Sequence, residues 1–182
     1  MILERASPPT PTDPRLTNVS PANRFILRGD ARVMAAAGEA LGLSLPLDAC
    51  RATVGAAGAA LWLGPDETLL LLAPDAEASW SGVLGAALAG VAHSLVDVSH
   101  RQTALELSGP DAEAMLAAGC PLDLHITAFP VGMCARTVFA KCEIVLWRKG
   151  PALFHIEVWR SFRAYVVGLL ERTGEEFTGI MP

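Results

Sequence analysis

Ser99-His100, four histidines and four cysteines are the groups in this 182-residue sequence with chemistry to offer. Ser99 and His100 are adjacent, and adjacent residues of a strand project to opposite faces. They cannot form a nucleophile–base hydrogen bond there, and no G-x-S-x-G elbow exists elsewhere. The pair is expected to close a strand, its polar side chains engaged in local hydrogen bonds. His93, His100, His125 and His155 show neither H-x-x-x-H nor H-E-x-x-H spacing, whereas zinc needs three or four converging nitrogen or sulfur ligands. His155 alternates with Phe154 and Ile156 and reads as a satisfied sheet residue. Cys50, Cys120, Cys134 and Cys142 lack C-x-x-C spacing and read as buried or idle thiols. Gly55-Ala56-Ala57-Gly58 has no Lys-Ser/Thr after it, and no G-x-G-x-x-G opens a helix, so no phosphate cradle is expected. The reading is that this chain carries no catalytic, cofactor-binding or metal-binding residues of its own.

The chain is long enough for one domain, or for two small halves sharing a core, without disulfide or metal staples. Apolar residues make up 52%, yet runs such as Leu69 to Ala73 are far shorter than the roughly 20 residues that cross a bilayer. The opening Met-Ile-Leu-Glu-Arg lacks a signal-peptide apolar region, so a cytoplasmic location is expected. Net charge is −5, and the 14 basic residues form no run. That balance argues against nucleic acid and against an anionic membrane surface.

Residues 1–23 hold five prolines among small polar residues and read as an extended or disordered arm, or one that lies along a partner. From Phe25 the chain reads strand, Asp30-capped helix to Leu41 and Gly42 stop. Next come an edge strand at 51–54 and a hairpin, 59–63 and 68–73, turned by Pro65-Asp66. An Asp75-capped helix to Leu88 and a strand at 93–98 complete this half. The grammar then repeats. A strand through Thr103, Leu105 and Leu107 leads to a helix expected to be capped by Ser108, with Pro110 and Asp111 in its first turn, and stopped by Gly119. Strands at 135–140, 143–149 and 154–159 and an amphipathic helix at 161–172 follow, leaving 173–182 as a tail. Leu27 to Ala31 and Leu107 to Ala112 share the order strand, glycine, aspartate, alanine, helix. The expected fold class is therefore α+β: two ferredoxin-like β-α-β-β-α-β halves, 24–98 and 99–172, packed on each other's bare sheet faces. Phe154, Phe162 and Tyr165 are expected in the core, with at least one of Trp147 and Trp159 facing a partner.

Asp97-Val98-Ser99-His100 followed by Leu107-Ser108-Gly109-Pro110-Asp111-Ala112 resembles the corresponding segment of the glycine-cleavage T-protein superfamily. Residues 24–172, with Trp147, the strand Phe154 to Trp159 and the closing helix, are similar in particular to gamma subunits of heterotetrameric sarcosine oxidase. The resemblance implies a fold like the folate-binding region of T-proteins and a non-catalytic assembly role. The complex it implies oxidises sarcosine to glycine and formaldehyde, or 5,10-methylenetetrahydrofolate, with hydrogen peroxide. Partners implied are the alpha, beta and delta subunits, with the large alpha subunit in contact. FAD, FMN, NAD, zinc and tetrahydrofolate are implied for those partners and none for this chain. T-protein relatives carry two aspartates in the strand that here reads Cys142-Glu143-Ile144-Val145-Leu146-Trp147, where one longer carboxylate stands beside a thiol. The alternative reading, a stand-alone folate or one-carbon binder, would rest on Glu143.

Overall fold

The computed structural model describes residues 15–19, 22–74 and 79–178. Its order is β1 (Arg15–Asn18), β2 (Asn23–Arg28), α1 (Ala31–Leu41), β3 (Ala52–Gly55), β4 (Gly58–Gly64), β5 (Glu67–Leu72), α2 (Trp80–Ala87) and β6 (Ser94–Asp97). Then follow β7 (Gln102–Ser108), α3 (Ala112–Ala117), β8 (Cys134–Phe139), β9 (Cys142–Gly150), β10 (Leu153–Trp159), a 3-10 turn (Arg160–Phe162) and α4 (Arg163–Thr178).

The strands form two antiparallel five-stranded sheets, β3-β4-β5-β2-β6 and β1-β7-β10-β9-β8. Matched position by position, β2 corresponds to β7, β4 to β9, β5 to β10 and the edge strand β3 to β8. The first sheet has the strand order of a ferredoxin-like unit with one added edge strand. The second has the same order, but its last strand does not follow α4. The place beside β7 is filled from the other end of the chain by β1, in register Arg15↔Ser108 to Asn18↔Leu105.

Period-2 alternation sorts each strand's residues between two cores. Phe25, Leu27, Ala60, Leu70 and Leu72 point outward and are covered by Val33, Met34, Ala37 and Leu41 of α1 and Leu84 of α2. Leu105, Leu107, Ile144, Leu146, Phe154, Ile156 and Val158 are covered by Met115 and Leu116 of α3 and Val166 and Leu170 of α4. The opposite faces, with Leu61, Leu69, Leu71, Val145 and Trp147, meet in a third, central core. The result is four layers, helix–sheet–sheet–helix, as the sequence pattern requires of strands apolar on both faces.

Local signals hold where nothing tertiary competes. Asp30 caps α1, accepting from the Arg32 and Val33 amides, and Gly42 ends it in the left-handed conformation at φ 58°. Elsewhere the expected caps are overridden. Ser108 is held extended by pairing with Arg15 and donates its hydroxyl to the Arg15 carbonyl at 3.4 Å. The N-cap position of α3 passes to Asp111, whose side chain makes no capping bond. Helix α2 begins at Trp80 after Ser79, and Asp75 lies outside the described residues. Phe162 and Tyr165 are 44% exposed rather than core, because Phe162 lies in the 3-10 turn ahead of α4 and the inward stripe of that helix runs through Val166 and Leu170.

Candidate functional site

Three charged side chains are buried within the largely apolar central layer. Arg24 comes from the inward face of β2, and His155 and Glu157 from the inward face of β10, opposite in alternation to Phe154, Ile156 and Val158. Arg24 donates from Nε to Glu157 Oε2 at 2.7 Å and from Nη1 to the Ala22 carbonyl at 3.1 Å. The second oxygen of Glu157 meets His155 Nε2 at 2.9 Å. All three residues are buried, Glu157 completely. The pair Arg24–Glu157 therefore bridges the two sheets through the middle of the sandwich.

A cross-strand row continues from His155. Its register partners are Glu106 on β7 and Trp147 on β9. Glu106 accepts from the Lys149 ammonium and lies 3.9 Å from His155 Nδ1. Trp147 packs against the imidazole at 5.7 Å between ring centroids, and the Lys149 ammonium lies over the Trp147 ring at 5.5 Å from its centroid. Trp147, Lys149 and His155 of this row line one side of a cleft of about 410 Å³ between the sheets, whose facing wall includes Val54, Gly58, Ala59 and Leu71. Trp147 Nε1 and His155 Nδ1 are buried and find no hydrogen-bond partner among the described residues.

The charges fix one another. The His155 ring, with Lys149 adding to it, holds the Glu106 carboxyl down at about 2 against the opposing pull of burial. Burial alone would raise Glu157, but its bonds to His155 and Arg24 hold it below the usual carboxylate range. Burial alone would lower His155, but the Glu106 and Glu157 carboxylates raise it. His155 Nε2 and both Glu157 oxygens are engaged with one another and with Arg24, and a carboxylate bonded through both oxygens is a poor base. What this arrangement does chemically is join two sheets through a desolvated ion pair.

The Asp97-to-His100 segment forms the turn from β6 into β7. Asp97 accepts from the Ser99 amide at 2.8 Å and is held below the ordinary aspartate range by the Ser99 side chain and amide. Ser99 Oγ accepts from the Arg24 amide at 2.9 Å, so this turn pins the strand that delivers Arg24. His100 is exposed and makes no bond to Ser99. His93 and His125 make only local bonds, to the Val91 carbonyl and the Thr127 hydroxyl. Cys120, Cys134 and Cys142 are buried, and burial pushes the Cys134 thiol up to about 12. Among the described residues no three His, Cys, Asp or Glu side chains converge as a metal site, and no helix is long and apolar enough to cross a membrane.

Glu143 sits exposed at the start of β9, in register with Val138. Among the described residues no second carboxylate opposes it, so the donor set there does not fit the paired aspartates that the T-protein resemblance implies. Sequence reasoning missed Arg24, Glu106 and Glu157. The signal was a strand, Phe154 to Trp159, carrying His and Glu on one face. It becomes readable only once that face is known to be covered.

Residues 28–176 match the model of the sarcosine oxidase, gamma subunit family. The chain is 41% identical over 123 residues to a sarcosine oxidase subunit gamma of Arthrobacter sp., covering 67% of this chain and 60% of that protein. It is 38% identical over 144 residues to that of Corynebacterium sp. strain P-1, covering 79% of this chain and 70% of the relative. It thus spans well under the full length of these relatives. Among solved structures it is similar to a chain of heterotetrameric sarcosine oxidase from Corynebacterium sp. U-96 in complex with pyrrole 2-carboxylate, at TM-score 0.86 and 30% identity, covering 93% of this chain and 87% of that one. The glycine cleavage system aminomethyltransferase T of Bartonella henselae shares the fold at TM-score 0.65 and 15% identity, this chain covering 46% of it. With the duplicated sheet pair, the Asp97-to-His100 turn and these likenesses together, the chain belongs to the sarcosine oxidase gamma subunit family.

Proposed function

We propose that this chain is a non-catalytic assembly subunit of a multi-subunit, flavin-dependent sarcosine oxidase, working beside alpha, beta and delta subunits with the large alpha subunit in contact. The complex converts sarcosine to glycine, with formaldehyde or 5,10-methylenetetrahydrofolate and hydrogen peroxide as the other products. FAD, FMN, NAD, zinc and tetrahydrofolate belong to the partner subunits, and this chain contributes no catalytic, cofactor or metal ligand. The observation that carries the reading is the fate of the buried titratable groups. Arg24, His155 and Glu157 are consumed by one another in holding the halves together. Support also comes from the lone, exposed Glu143 and from exposed aromatics at the end of β10 and the start of α4. The cytoplasm is the expected location.

The test is co-expression with the three companion subunits, the large one tagged. This chain should co-purify stoichiometrically. Alanine at Glu143, His155 or His100 should leave turnover per assembled complex within about twofold. Loss of turnover without loss of assembly would assign chemistry to this chain and overturn the reading.

A further inference from the structure

The turn from β6 to β7 and the end of β10 together shape a second cleft, of about 380 Å³, with Asp97, Ser99, His100, Gln102, Thr103 and Arg160 among its lining residues. Three observations single it out. Gln102 is 6% exposed, yet its Oε1 accepts no hydrogen bond among the described residues. A buried acceptor without a donor is costly to leave unmet, so such a group calls for a partner. Beside the cleft, Trp159 is 40% exposed, and the Arg101 guanidinium lies over its ring at 5.3 Å. The Arg160 amide donates to the Arg101 carbonyl at 2.9 Å, which fixes the two arginines next to each other. Neither Arg101 nor Arg160 forms an ion pair among the described residues, and Phe162 and Tyr165 extend the exposed aromatic surface along the same segment.

Exposed tryptophan and unpaired arginine beside a concavity are the composition of an interface hot spot. The sign of the charge identifies the occupant. The chain as a whole is −5, but this rim is cationic, while the one acid in the lining, Asp97, is already engaged by Ser99. A symmetric contact with a second copy would set these arginines against themselves, at a cost of like-charge repulsion. We propose that this cleft and its Trp159 rim dock an acidic, extended segment of a companion subunit. A carboxylate is taken by the Arg101 and Arg160 guanidinium groups, a backbone N–H is accepted by Gln102 Oε1, and an apolar side chain lies against Trp159. This inference rests on the assembly reading above and names the surface through which it operates.

The experiment uses all four subunits, the large one tagged, with this chain as wild type, Trp159→Ala, Arg160→Glu, or Arg32→Glu as a charge-matched control on the exposed face of α1. Circular dichroism melts of each purified chain check folding. Trp159→Ala is expected to weaken the chain's apparent Kd for the remaining complex about thirtyfold, the scale of a hot-spot truncation. Arg160→Glu is expected to weaken it about tenfold and to flatten its salt dependence, leaving the melt unchanged. Arg32→Glu should match wild type. If both site variants assemble like wild type, the surface is wrong while the assembly role stands. If wild type itself fails to co-purify, the assembly role falls and this surface with it. A homodimer of the isolated chain that Arg160→Glu dissociates would assign the surface to a second copy and overturn the proposed occupant.

Discussion

Replacing Arg24 by methionine tests the central ion pair directly. Arg24 and Glu157 are 4% and 0% exposed and meet at 2.7 Å. At an effective dielectric near 20, that separation carries about 6 kcal/mol of attraction, much of it cancelled by desolvating two ions. Arg24→Met removes the attraction and leaves the Glu157 carboxylate buried with only His155 as partner. Loss of one member of such a pair costs about 3–5 kcal/mol, and Glu157→Gln should cost a similar amount by stranding Arg24. In a chain of this size that lowers the Tm by roughly 6–20 °C. The double variant Arg24→Met/Glu157→Leu removes both charges and should lie within about 1 kcal/mol of wild type. Urea denaturation at pH 8 supplies the numbers, read as changes in midpoint at constant slope. Two outcomes refute the reasoning: single variants that each lose less than about 1 kcal/mol, or a double variant that loses the sum of the two.

The titrations predict a stability maximum. His155 is raised above its ordinary 6.5, so its contribution is complete below pH 6.5 and is lost as pH rises through the folded value. Glu106 and Glu157 are depressed from 4.5, so theirs is complete above pH 4.5 and is lost on acidification, for Glu106 down to about 2. Melts between pH 3 and 9 should therefore peak between those limits, and Glu157→Gln should flatten the alkaline limb; a flat wild-type profile would contradict the network. Gly58→Ala should destabilise by several kcal/mol, because the residue sits at φ 146° and its Cβ would fall 2.0 Å from the Leu71 carbonyl oxygen. A urea midpoint unchanged from wild type would mean β4 and β5 can separate there. Asp30→Ala should cost about 1 kcal/mol and Asp111→Ala under about 0.5, since only Asp30 makes capping bonds; equal losses would refute that distinction. Under native conditions a maleimide should label Cys50 first, with Cys120, Cys134 and Cys142 reacting only on unfolding.

What the sequence by itself determined is local and periodic. Alternation at Thr103 to Ser108 and Phe154 to Trp159, helical spacing in α1 and α4, and the Asp30 and Gly42 signals depend on neighbours one to four positions away. The same residues carry the duplicated architecture, and with it the family, through the Asp97-to-His100 turn. The tertiary structure alone decided the rest. Strand order depends on which backbone edge is left unpaired, and N–H and C=O groups look alike in every sequence, so nothing in Arg15–Asn18 marks it as the strand that completes the second sheet. That pairing in turn took Ser108 away from its helix. Nor could periodicity bring Arg24 to Glu157 across 133 positions. Burying both faces of both sheets forced the charges entering the central layer to find one another, because an unpaired ion there is too costly to leave.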